Sequence, residues 1–309
     1  MSRLTSIRIL VLLLIGSTAQ IAAQQIPDTT YRHPLQHQAY QAGKGPMVLI
    51  DEAHNNFHTR EGGFLAFSRL LEQDGYRVGA SAVPIDDEGP LEGCRVLVIA
   101  NPLNALNVGN WTLPTPSAFS PDEIHVIRDW VHQGGNLLLI ADHMPFAGAA
   151  AELAKVFGFE LVNGFAYSRQ NAWPPSMFSQ HDGSLPDSPL LNGFYPEERV
   201  DSVATFTGSA FKAPPEAQVV LRFLPGQYSL NPDTAWVFGE HTPRIDLGGY
   251  SQGAVVEFGK GRVAMFGEAA MFTAQLTNGN FPVGFNSPAA PDNAQFTLNL
   301  IHWLDQNKK

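Results

Sequence analysis

The sequence predicts an α/β protein with a mostly parallel sheet, and three observations carry that prediction. Met47-Val48-Leu49-Ile50 is apolar throughout, too short for a helix and without polar alternation, as expected of a strand buried on both faces. Such runs alternate with stretches of helical period. Three of them stop at an acid, Asp51, Asp142 and Glu268. In open α/β sheets ligands bind outside the carboxyl ends of the strands, so these acids stand where chemistry is usually done.

After the first strand, Phe64, Phe67, Leu70 and Leu71 recur at helical spacing, and Asp74-Gly75 closes that helix. Tyr76 to Val83 and Arg95 to Ala100 read as strands two and three, followed by a long loop from Asn101 to Phe119 with three prolines. Ser120 can cap the next helix, Pro121 suits its first position and Glu123 completes an S-x-x-E capping box. Ile124, Ile127 and Val131 form its buried stripe, and Gly134-Gly135 ends it. A strand from Asn136 to Ala141 leads to Asp142-His143 and then to a helix rich in small residues around Gly148. Residues 163–250 read as a loop-rich insertion with strands at Val219 to Leu224 and Thr234 to Phe238. Within it, His181-Asp182-Gly183 reads as a surface turn. Ala254 to Phe258 and Arg262 to Gly267 form a hairpin turned by Gly259-Lys260-Gly261, and a closing helix starts at Asp292 or Asn293 and buries Phe296, Leu300 and Trp303.

The chain has 309 residues, 44% hydrophobic and 16% charged, which is enough for a substantial core in one domain over 46–305. Arg3 and Arg8 precede the apolar run Ile9 to Ile15, and small residues extend to Ala23, so residues 1–23 read as a secretory leader and the mature chain is expected outside the cytoplasm, secreted or periplasmic. The run is too short to span a bilayer, so the chain is not expected to be membrane-embedded. Residues 24–45 are polar and without periodicity, and read as a loose arm. The formal charge of −10 becomes −12 without the two leader arginines, which argues against a nucleic-acid partner. Asp51-Glu52-Ala53-His54 spells the acidic box of certain ATPases, but no GxxxxGK[ST] phosphate loop precedes it and ATP is not expected as a ligand. Cys94, the single cysteine, lies at the amino end of its strand, away from the ligand edge.

The order of these elements, with GGNLLLIADH at 134–143, FGKGRVAMFGEAAMF at 258–272 and NAQFTLNLIHWL at 293–304, resembles the flavodoxin-like core of the class I glutamine amidotransferase superfamily. Within it the sequence is similar to an exported branch related to domains beside gliding-motility and ABC-transport proteins. The resemblance covers roughly residues 46–160 and 250–305. It implies a flavodoxin-like three-layer sandwich. True amidotransferases carry a cysteine on the strand-to-helix turn, where this chain has Asp142-His143, and a His-Glu pair on a later strand, where it has Glu268. Glutaminase activity is therefore not expected.

Three readings of the site stay open. Asp51, Glu52, Asp142, His143 and Glu268 are candidate catalytic residues of a hydrolase acting on a polar substrate, a carbohydrate among the choices. His54, His58, Asp142 and His143 are candidate ligands of a divalent metal such as zinc, which would acidify a bound water. Alternatively, Asn55 and Asn101 with the aromatics Tyr167 and Trp173 would bind a small polar molecule or a glycan without catalysis. Gly249-Tyr250-Ser251-Gln252-Gly253 matches the serine-esterase nucleophile elbow, but the elbow needs a helix after it and this sequence continues as a strand.

Overall fold

A computed structural model describes residues 25–167 and 175–306. Nine strands form its central sheet: β1 Met47–Asp51, β2 Arg77–Ser81, β3 Cys94–Ala100, β4 Asn136–Ile140, β5 Glu160–Val162, β6 Ala210–Lys212, β7 Gln218–Arg222, β8 Ser251–Phe258 and β9 Gly261–Phe266. The order is β2-β1-β3-β4-β9-β8-β6-β5, with β7 also on β8. From β2 to β9 the neighbours are parallel, and β9 starts an antiparallel extension through β8. The parallel part has the 2-1-3-4-5 order of doubly wound flavodoxin-like folds.

Four helices flank it: α1 Leu65–Gln73, α2 Pro121–Gln133, α3 Phe146–Lys155 and α4 Asn293–Asp305. Successive strand residues point to opposite faces. Val96, Val98, Leu138 and Ile140 accordingly pack with α1 and α4, while Leu97, Ile99, Leu137 and Leu139 pack with α2 and α3. That produces the three expected layers, and explains why these strands carry no polar alternation.

Three expectations are revised. Residues 25–45 are docked rather than loose: Gln25–Pro27 pairs antiparallel with Ala274–Thr277, and Tyr40 donates to the Asp305 carboxylate at 2.9 Å. Thr234 to Phe238 is not a strand. It is a turn joined to the long loop by a Thr112–Thr234 bridge, with Trp236 at φ +66°. The loop-rich insertion instead builds small antiparallel pieces, one of which orders Phe165–Tyr167, Tyr228–Leu230 and Arg244–Asp246 into three strands. Trp303 is half-buried, under Arg262. The leader reading and Trp173 fall outside the described residues.

Candidate functional site

The carboxyl ends of β1, β3, β4 and β9 meet as expected, but their side chains sort into three groups rather than one. In the first, His54 lies between two buried carboxylates, with Nδ1 2.8 Å from Asp51 and Nε2 2.8 Å from Glu123. Both ring nitrogens face acceptors, so both donate and the ring is an imidazolium. Burial opposes that charge, yet the hydrogen bonds and charges of Asp51 and Glu123 raise the His54 pKa. Asn56 donates a further bond to Asp51 at 3.0 Å. Glu123 also keeps its helix-capping role, since Ser120 N donates to its other oxygen at 2.8 Å. The sequence marked Glu123 as a cap only. Its second partner is 69 positions away and left no local signal.

The second group surrounds Asn101, which follows β3 at φ +50°, a conformation asparagine tolerates better than most residues. Its Nδ2 donates to His58 Nδ1 at 3.2 Å, and its Oδ1 accepts from Asp142 N at 2.9 Å. Asn101 thus stitches the ends of β1, β3 and β4 together, and at 1% exposure it has no edge for a ligand. Nε2 of His58 faces the Gln275 carboxamide, whose Oε1 is buried without a partner; turning that amide over gives the Nε2–H an acceptor. Burial holds the His58 pKa down to about 4, against the pull of Asp142. Asp142 accepts from His143 N at 2.7 Å and from Ala269 N at 3.4 Å. Glu268 is fully buried and accepts from Ala270 N and Met271 N at 3.0 and 2.7 Å. Burial, and then the charge of Asp142, raise its pKa well above the ordinary carboxyl range.

His143 heads the third group. Its Nδ1 donates to Met144 O at 2.6 Å, which fixes the tautomer and leaves the Nε2 lone pair. Its ring stacks on Phe165 at 4.4 Å and meets the edges of Trp236 at 4.8 Å and Trp111 at 6.0 Å. From there rings continue in both directions: Trp111 to Phe57 at 5.9 Å, and Phe165 to Phe238 to Tyr167 to Tyr228, where Arg244 covers the last ring at 3.6 Å. Phe57 and Phe238 are exposed, and Trp111, Tyr167, Tyr228 and Trp236 half-buried. Trp236 holds a left-handed backbone, unusual for a bulky residue and the kind of strain that collects at ligand-binding surfaces.

Several candidate residues therefore serve elsewhere. Glu52 accepts from Arg60 N at 2.7 Å and ties down a turn, and Asn55 is exposed with its amide on Leu103 O. The four candidate metal ligands do not converge: His54 has both nitrogens committed, His58 Nδ1 accepts from Asn101, and His143 Nδ1 donates to Met144. No group of three His, Cys, Asp or Glu side chains that could hold a metal ion occurs among the described residues. Ser251 is buried and opens strand β8, with no helix after it, so the elbow geometry is missing. His181 to Gly183 form an exposed turn, as expected. Burial pushes the Cys94 thiol up to about 12, which leaves it unreactive.

No protein-family model matches the sequence, and no curated protein matches it either. Among solved structures, the mmIFT52 N-terminal domain aligns with 84% of this chain and 97% of its own length, at 12% identity and a TM-score of 0.56. The fold is that of the class I glutamine amidotransferase-like proteins. A cytoplasmic protein from Salmonella typhimurium (15% identity, 84% of this chain and 98% of that one, TM-score 0.49) and a ThuA-like protein from Bacteroides uniformis (13%, 88% and 95%, TM-score 0.45) also align along most of their lengths. In the amidotransferase-like fold of this chain, Asp142-His143 sits between β4 and α3, on the turn where the resemblance implied a nucleophile.

Proposed function

We propose that the mature chain is an exported glycan-binding domain, with the sugar lying on the aromatic row that runs from Phe57 past His143 to Tyr228. The observation that supports this most is that row itself. Aromatic rings offer flat apolar faces to sugar rings, and His143 Nε2 adds a fixed acceptor for a hydroxyl. The carboxylates argue for binding over hydrolysis. Asp51 and Glu123 are each hydrogen-bonded to His54, Glu268 has no exposed surface, and Asp142 is engaged by backbone N–H groups. A glycosidase needs two carboxyl groups facing the scissile bond, and none of these does.

Titration calorimetry against a panel of oligosaccharides tests the reading. Trp236→Ala and Trp111→Ala should each weaken the best binder by about threefold to tenfold, the value of one aromatic contact. Unchanged affinity in both would overturn it. A second reading, hydrolysis with His143 as the base that takes a proton from water, rests on the Met144-fixed tautomer. There His143→Gln would abolish turnover while binding persists; a wild type that leaves every bound glycan intact rejects it.

A further inference from the structure

The three small strands Phe165–Tyr167, Tyr228–Leu230 and Arg244–Asp246 carry the far end of the aromatic row. Their registers set Phe165 opposite Leu230 and Leu230 opposite Arg244, and likewise Tyr167 opposite Tyr228 and Tyr228 opposite Asp246. Side chains alternate between the two faces of a strand, so Arg244 shares a face with Phe165, Tyr167 and Tyr228. Ala166 and Ile245, one position along, pack against the main core on the other face. Arg244 therefore closes the row on the row's own side, and it is exposed.

Several other arginines hold protein acceptors: Arg60, Arg128, Arg199 and Arg262 hold carboxylates, and Arg69, Arg77 and Arg95 hold backbone carbonyls. Arg244 holds a ring. Its guanidinium carbon lies 3.6 Å from the Tyr228 centroid, and Tyr228 is stacked in turn on Tyr167 at 5.6 Å. No carboxylate among the described residues pairs with it. Asp246, on the same face, turns Oδ1 to Gly248 N at 2.8 Å. A guanidinium lying on a ring keeps its N–H edge free, and that planar fork matches a carboxylate. The ring contact also orders the side chain before any ligand arrives, which lowers the cost of binding.

We propose that Arg244 makes this end of the row a subsite for an acidic sugar, a hexuronic acid unit whose carboxylate accepts two N–H bonds from the guanidinium while the neighbouring sugars lie along the row. The inference rests on the glycan reading of the row and adds to it the charge of the ligand. A neutral sugar would displace water from the guanidinium without replacing it by an anion. The chain as a whole has a charge of −10 and repels polyanions in general, so attraction of one to this surface must be local.

Titration calorimetry on the mature chain tests it, with oligogalacturonates and oligomannuronates, their methyl esters, and galactose and mannose oligomers of the same length. The ester keeps every ring and free hydroxyl and removes the charge. The better-bound acid should exceed its ester by about threefold to tenfold in affinity, the value of an exposed charge-assisted fork. Arg244→Gln should abolish that difference without weakening the ester, and Arg244→Lys, which keeps the charge but not the fork, should recover part of it. A melting curve for each variant shows that it is folded. Equal affinity for acid and ester, an acid preference that survives Arg244→Gln, or tighter binding of a sulfated oligosaccharide would each overturn the proposal and leave the glycan reading standing. If neither acidic nor neutral oligomers bind, the glycan reading falls and this proposal with it.

Discussion

Near the sheet edge one imidazolium, His54, serves two buried carboxylates, Asp51 and Glu123. Removing it leaves both acids in a poorly solvated place, so His54→Ala should cost about 3–5 kcal/mol in urea unfolding, far more than a surface ion pair. Its titration has a definite sign. The folded pKa is raised above the ordinary 6.5, so the contribution is fully present below pH 6.5 and is lost as pH rises through the folded value. His58 works the other way. With its folded pKa held down to about 4, its contribution is complete above 6.5 and declines as pH falls toward 4, by on the order of 3 kcal/mol. Denaturation curves between pH 4 and 7 should therefore flatten in His58→Asn relative to wild type; equal slopes would show that another group controls acid sensitivity. Cys94→Ser should leave ligand binding unchanged, since the thiol lies at the amino start of β3 and is not ionised.

Helix α2 shows what an element contributes beyond packing. Its capping box, Ser120 with Glu123, orients Glu123 so that the same carboxylate reaches His54. Ser120→Ala should therefore cost about 1 kcal/mol, the value of a cap. Glu123→Ala should cost clearly more and should also lower the His54 pKa, readable by NMR titration; a loss equal to that of Ser120→Ala would mean the His54 contact contributes nothing. The same helix marks how far the sequence could be read. Its cap, stripe and terminal glycine are local signals, and so are the apolar runs of β1, β3, β4 and β9, so these elements were legible. The short strands β5 and β6 carry no pattern of their own: β6 forms on the edge of β8, and β5 on β6. The site divided in the same manner. Asp51, Asp142, His143 and Glu268 were legible from strand ends, but their sorting into a charged clamp, a stitched interior and an aromatic row depends on Glu123, Gln275 and Trp236, each brought in from far along the chain.

At the scale of the whole molecule, the segment before β1 closes the structure. Gln25–Pro27 supplies an edge strand, and Tyr40 and Tyr76 both donate to Asp305 near the end of α4. A chain starting at Met47 should unfold at lower urea concentration with a smaller m-value, because less surface is buried; an identical transition would show that the segment adds no stability. This placement also orders events in time. Gln25 is opposite Thr277, about 250 residues later, and contacts this distant form slowly because the loop between them must close first. During synthesis the start of the described chain cannot find its place until almost all of the rest has emerged. Until then the Ala274–Thr277 strand that will receive it does not exist, and the early segment is open to proteases and holding chaperones.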